Sequence, residues 1–163
     1  MKSIAVFVVL TCLSSGALSN GIPLPANRTL PAPGPDGMIH LSGKSRAGTG
    51  YTISTFSATF WNAIDYCRRT NRKLLAIEDS AEQMEISLLL TSYNIAFNMW
   101  TSGVEISPGE LVWASTLEKV DYSNIGNTNN GQDNCLAIVT SGPNRNKWMH
   151  SFCQNWYYFI CEA

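Results

Sequence analysis

The sequence predicts a secreted α+β domain with two helices, antiparallel strands and one long irregular loop, tied by two disulfides. Three observations lead there. Helical patterns occupy the first half, over 57–69 and from Ser80, and short apolar runs follow in the second. The N-terminus reads as a secretory leader, which places the chain in an oxidising compartment. Without it four cysteines remain, Cys67, Cys135, Cys153 and Cys161, and an even number favours disulfides over free thiols or metal ligands. On that count alone three pairings are open.

The leader covers 1–19. Lys2 supplies the positive start, residues 4–13 the apolar middle, and Ala17, Leu18 and Ser19 the small-x-small cleavage pattern. A run this short spans a bilayer poorly, and no other segment is apolar enough to cross one. Residues 20–37 hold five of the seven prolines and read as an extended linker. Within it Asn27, Arg28 and Thr29 form an N-glycosylation sequon. The folded domain is expected over 38–163. Its 163-residue parent chain has a formal net charge of -1 and only 14% charged residues, so nothing attracts nucleic acid or an anionic membrane.

Ile39 and Leu41 alternate as in an edge strand, and residues 51–54 form the first credible strand. In the first helix Phe60, Ile64 and Cys67 recur on one face, Ser57 or Thr59 offers a cap, and Arg68 and Arg69 suit the negative end of the dipole. Residues 74–77 are a short apolar strand. The second helix starts at Ser80, with Gln83 completing a capping-box pattern and Met84, Leu88 and Leu89 as its buried side. Strands over 98–103 and 111–113 flank a turn at Pro108 and Gly109. Residues 115–134 lack regular pattern, and a loop that long in a compact domain is commonly functional. Strands over 135–139, 147–149 and 156–161 complete the set.

Trp61 to Cys67, then Leu75, Ala76 and Ile77 with Ser80 and Glu82, then Met99 to Gly103, then Asp133, Asn134 and Cys135, and finally Trp148, Cys153 and the run from Tyr157 to Glu162 stand in one order and spacing. Together they resemble the C-type lectin-like domain in its short, secreted insect form, over about 38–163. The resemblance implies the pairings Cys67–Cys161 and Cys135–Cys153. It also implies a comparison of ligands. Family members that bind sugar do so through calcium, held by a Glu-Pro-Asn or Gln-Pro-Asp tripeptide, an acidic residue just before a cysteine, and an Asn-Asp pair after a tryptophan. Here the tripeptide position reads Asn127, Thr128 and Asn129. Asp133 keeps the acid, but Met149 and His150 follow Trp148. Calcium wants six to eight hard oxygen donors, whereas a thioether is soft and imidazole suits zinc or copper. No metal or other cofactor is therefore expected. A zinc role for His150 lacks partners, since the other histidine, His40, lies near the linker.

The expected function is extracellular recognition of a glycan or glycoprotein without the calcium bridge. Asn127, Asn129 and Asp133 are the candidate binding residues, with Thr128, Asn130 and Gln132 beside them, because amide groups both donate to and accept from sugar hydroxyls. Trp156 is the candidate exposed aromatic, while Trp113 and Trp148 match core strand positions of the family. Weak single-site binding would gain from oligomerisation. The alternative is a module that binds protein and no carbohydrate. Catalysis is not expected: the chain has no nucleophile elbow, phosphate loop or paired zinc-ligand motif.

Overall fold

The computed structural model describes residues 28–41, 50–126 and 134–163. Residues 1–27, which include the expected leader and Asn27, and residues 127–133, including Asn127, Asn129 and Asp133, lie outside the described residues. Among the described residues nine strands and two helices follow one another as β1 (Met38–Leu41), β2 (Tyr51–Ser54), α1 (Phe60–Arg69), β3 (Lys73–Leu74), α2 (Ser80–Ser92), β4 (Met99–Ser107), β5 (Glu110–Trp113), β6 (Glu118–Lys119), β7 (Cys135–Ile138), β8 (Trp148–Ser151) and β9 (Tyr158–Glu162). The sheet runs β1-β2-β9-β4-β5-β6, and β7 joins β4 to β8. Pairings between these strands are antiparallel except β4 with β9. The last strand is thus the centre of the molecule and meets both the first hairpin and the second half.

The first helix is shorter than its pattern suggests. It begins at Phe60, with Thr59 at the cap position making no side-chain cap bond. Residues before it cannot turn helical because Ala58 is paired on both sides with Tyr157, its amide donating at 2.8 Å and its carbonyl accepting at 3.1 Å. That carbonyl also accepts from Trp100 Nε1. Phe60, Ala63 and Cys67 form the buried face, and Ile64 packs at its margin.

The second helix is phased differently from the expectation. Its cap is Asp79, whose carboxylate accepts from the amides of Ala81 and Glu82, both at 2.9 Å. The buried side is Glu82, Gln83, Ile86, Leu89 and Leu90, while Met84 and Leu88 are exposed. Two polar residues occupy the inner face because each is satisfied there. Glu82 accepts from the Tyr51 hydroxyl and the Glu78 amide. Gln83 accepts from Trp148 Nε1 at 2.6 Å and donates to Ser87 and to the Asn146 carbonyl.

The strand expected over 74–77 pairs only at Lys73 and Leu74. Leu75, Ala76 and Ile77 are fully buried all the same. The Leu75 amide donates to Ile160, its carbonyl accepts from Ser102, and the Ala76 amide donates to the Glu162 carboxylate. This carboxyl is pushed up to about 7, first by burial and then by the nearby Glu82 and Glu78, against the Ala76 hydrogen bond. Gly103 is required where β4 meets β7: a Cβ there would lie 2.6 Å from Leu136 Cδ1.

Residues 28–37 carry no regular structure, as the prolines dictate, yet they are docked and not a free linker. The Arg28 amide donates to Ser92, its guanidinium lies 6.0 Å from the Tyr93 ring centre, and Leu30 packs on the core. Asp36 holds Arg72 at 3.3 Å and receives the Met38 amide, while Tyr66 donates to its carbonyl.

Both disulfides implied by the family resemblance are present. Cys67–Cys161 ties α1 to the central strand across 94 residues, and Cys135–Cys153 closes the β7–β8 hairpin across 18. In a chain-entropy account they contribute about 4.7 and about 3 kcal/mol.

Candidate binding site

The second disulfide and strand β8 frame the site. In the β7–β8 hairpin Ala137 faces Met149 and Leu136 faces His150. Trp148, which starts β8, is wholly buried with Trp113 and Tyr122 packed edge-on at 5.4 and 5.6 Å. Trp113 and Trp148 are core residues, as expected. The two residues after Trp148 are not oxygen donors, and their surroundings use what they do offer. Met149 packs against the cluster around Phe60 and Trp100. His150 Nδ1 lies 3.9 Å from Glu105 Oε2, with both side chains largely buried. A packed thioether and an imidazole beside a carboxylate do not make the hard-oxygen shell that a sugar-bridging calcium requires, so these residues do not fit that ion. Among the described residues no three His, Cys, Asp or Glu side chains group as metal ligands.

Beyond β8 the chain turns through 152–157. Here Cys153 is bonded to Cys135, and its carbonyl accepts the Phe60 amide at 3.0 Å. The Asn155 amide closes onto Phe152 at 2.8 Å, the Asn155 side chain donates to Ser151, and the Ser151 hydroxyl donates to Tyr157. Tyr157 pairs with Ala58 and packs its ring 4.7 Å from Trp100. The loop is held at both ends and in the middle. Trp156 projects from it, 66% exposed, as its sequence context suggests. An open depression of about 210 Å³ is lined by Phe152, Cys153 and Gln154 of the same loop and by Asn134.

Two further aromatics belong to this corner and are not apparent from the family pattern alone. Phe152 and Trp61 are each 52% exposed. Trp61 had a signal in the sequence: it falls off the Phe60, Ala63, Cys67 face of its helix. Phe152 had none, since a residue before a cysteine takes either side of the chain. His40, the other histidine, lies on β1 and sits 3.7 Å from Asp36, apart from this region.

A domain whose last strand is bolted to its first helix, and whose β7–β8 hairpin is closed by a second disulfide, has the form of a C-type lectin-like recognition domain. The family model for the lectin C-type domain matches residues 56–163, and the chain belongs to that family. It is similar to salivary C-type lectin 2 of Aedes albopictus, 23% identical over 137 residues, covering 77% of this chain and 91% of the relative. It is also similar to C-type lectin mosGCTL-7 of Culex quinquefasciatus, 23% identical over 128 residues, covering 70% and 73%. Among solved structures, the carbohydrate-recognition domain of the mouse scavenger receptor C-type lectin superposes with a TM-score of 0.62 at 19% identity, covering 80% of this chain and 95% of that one. Human lithostathine superposes with a TM-score of 0.58 at 20% identity, covering 78% and 88%. The chain is thus an insect-type C-type lectin-like protein, and no helix among its described residues is long and apolar enough to cross a membrane.

Proposed function

We propose that this protein is a secreted recognition protein that binds carbohydrate or glycoprotein ligands outside the cell without a sugar-bridging calcium ion. One observation carries the reading: after the buried Trp148, the chain packs Met149 against the core and sets His150 beside Glu105. Family membership supplies recognition, and this pair of residues removes the usual way of achieving it. Direct hydrogen bonding by neutral amides and hydroxyls takes its place, with Asn127, Asn129 and Asp133 of the polar loop and Trp156 as the binding residues. The salivary relative and the leader-like N-terminus support secretion, and Asn27 is the proposed glycan acceptor. The chain acts by binding and not by catalysis.

The test is a glycan-array screen of the purified protein in millimolar calcium and again in EDTA. Equal binding in both is expected. Binding confined to calcium contradicts the calcium-free reading. Silence in both, from a folded and disulfide-bonded sample, moves the function to a protein ligand.

A further inference from the structure

We infer that the corner formed by Trp156, Phe152 and Trp61 is a stacking site for a neutral pyranose, with Trp156 as its platform. This rests on the carbohydrate reading proposed above and gives that reading a location separate from the family's calcium position.

Three observations lead to it. First, large aromatic side chains are held outward by a rigid backbone. Trp156 is 66% exposed, and Phe152 and Trp61 are each 52% exposed. The Phe60–Cys153 hydrogen bond and the Ala58–Tyr157 pair bring the start of α1 against the 152–157 loop, so Trp61 stands at the same edge. Trp61 packs edge-on to Phe60 at 5.0 Å, Phe60 to Trp100 at 5.7 Å, and Trp100 lies against Tyr157. The Trp61 ring is thereby continuous with the core. Ordering such groups before a ligand arrives removes the entropy loss that weakens binding by mobile side chains. Aromatics exposed on a fixed frame mark interaction sites.

Second, the segments that carry the rings are poor in charge. Neither 50–64 nor 151–161 contains Asp, Glu, Lys, Arg or His. Asp65, the next charge along α1, is already paired with Arg68 and Arg69, so a charged peptide or an anionic surface finds little complement there, while an uncharged sugar loses little by docking. Third, the polar groups at the rim suit hydroxyls. Asn134 and Gln154 line the open depression with Phe152, and each side-chain amide both donates and accepts. One face of a pyranose with equatorial hydroxyls is a patch of C–H groups, and its edge is a ring of donors and acceptors. An indole on a loop that also carries the side-chain amides of Gln154 and Asn155 offers groups for both surfaces.

The experiment takes the strongest neutral oligosaccharide found with the full-length protein, from panels of β-linked glucose, galactose and N-acetylglucosamine. Its affinity is measured for Trp156→Ala, Trp156→Phe and, as a distant control, Leu117→Ala. Leu117 is 84% exposed on the β5–β6 turn. Loss of stacking predicts binding weaker by about tenfold or more in Trp156→Ala. Trp156→Phe retains most of the affinity, Leu117→Ala all of it, and the melting temperature stays at the parent's value in each. Undiminished binding by Trp156→Ala overturns the stacking site and leaves the carbohydrate function standing. If the parent protein itself binds no neutral glycan, both are overturned.

Discussion

Trp148 and Trp156 stand on either side of Cys153, and the fold treats them in opposite ways. Trp148 is fully buried, its indole N–H satisfied by Gln83 and its ring wedged between Trp113 and Tyr122. Trp156 is mostly in solvent although the loop beneath it is fixed by a disulfide and several hydrogen bonds. Hydrophobicity does not separate the two; backbone pairing does. Trp148 lies on a strand opposite Ile138, so its side chain is committed to the interior. The chain at Trp156 is turned by its neighbours and presents its side chain outward. The first residue is therefore a stability determinant and the second the proposed binding determinant, and variants should divide along that line.

The largest effect is expected for Trp148→Ala. It empties a filled site and strands the Gln83 carbonyl, with a cost of about 3–5 kcal/mol in chemical denaturation. A change below about 1 kcal/mol would mean that the cluster around it is plastic. Gly103→Ala comes next, because the new methyl collides with Leu136 on the facing strand. The expected loss is about 1–3 kcal/mol, read from the same denaturation midpoint. Trp156→Ala sits at the other end of the scale, within about 0.5 kcal/mol of the parent, as for a surface substitution. A large destabilisation by that change would erase the contrast between the two tryptophans.

Between these lies a pH effect from the buried carboxyl that joins β9 to the 75–77 stretch. Glu162 is pushed from 4.5 up to about 7 in the folded state, by burial foremost and by Glu82 and Glu78, while Lys73 opposes. The folded protein thus holds this proton more tightly than the unfolded chain. Its favourable contribution is complete below about pH 4.5 and is lost as pH rises through about 7, an effect of up to about 3 kcal/mol. Stability measured from pH 5 to pH 8 should fall, and Glu162→Gln should flatten most of that slope. An unchanged slope in the variant would place the titration elsewhere.

The order of elements was legible because local patterns and cysteine positions report them directly. Tyr51–Ser54 forms the strand expected there, and both disulfides match the family resemblance. The phase of α2 was not legible. An apolar count turns Met84 and Leu88 inward, but Glu82 and Gln83 take the inner face because Tyr51 and Trp148 meet them there. Those partners are distant in the chain, and no local pattern encodes them. The docking of 28–37 was hidden for a related reason: proline content forbids regular structure but says nothing about contact with Ser92 or Arg72. At the site, the loss of oxygen donors at Met149 and His150 could be read from the residues alone. The aromatic corner needed the Ala58–Tyr157 pairing to bring its parts together.

The most direct test of calcium-free recognition is the dissociation constant of the parent protein for its best glycan, measured in millimolar calcium and in EDTA. With Met149 and His150 in place of oxygen donors, the account predicts the same value in both. Affinity that falls by about tenfold or more in EDTA, with the fold intact by circular dichroism, would contradict it.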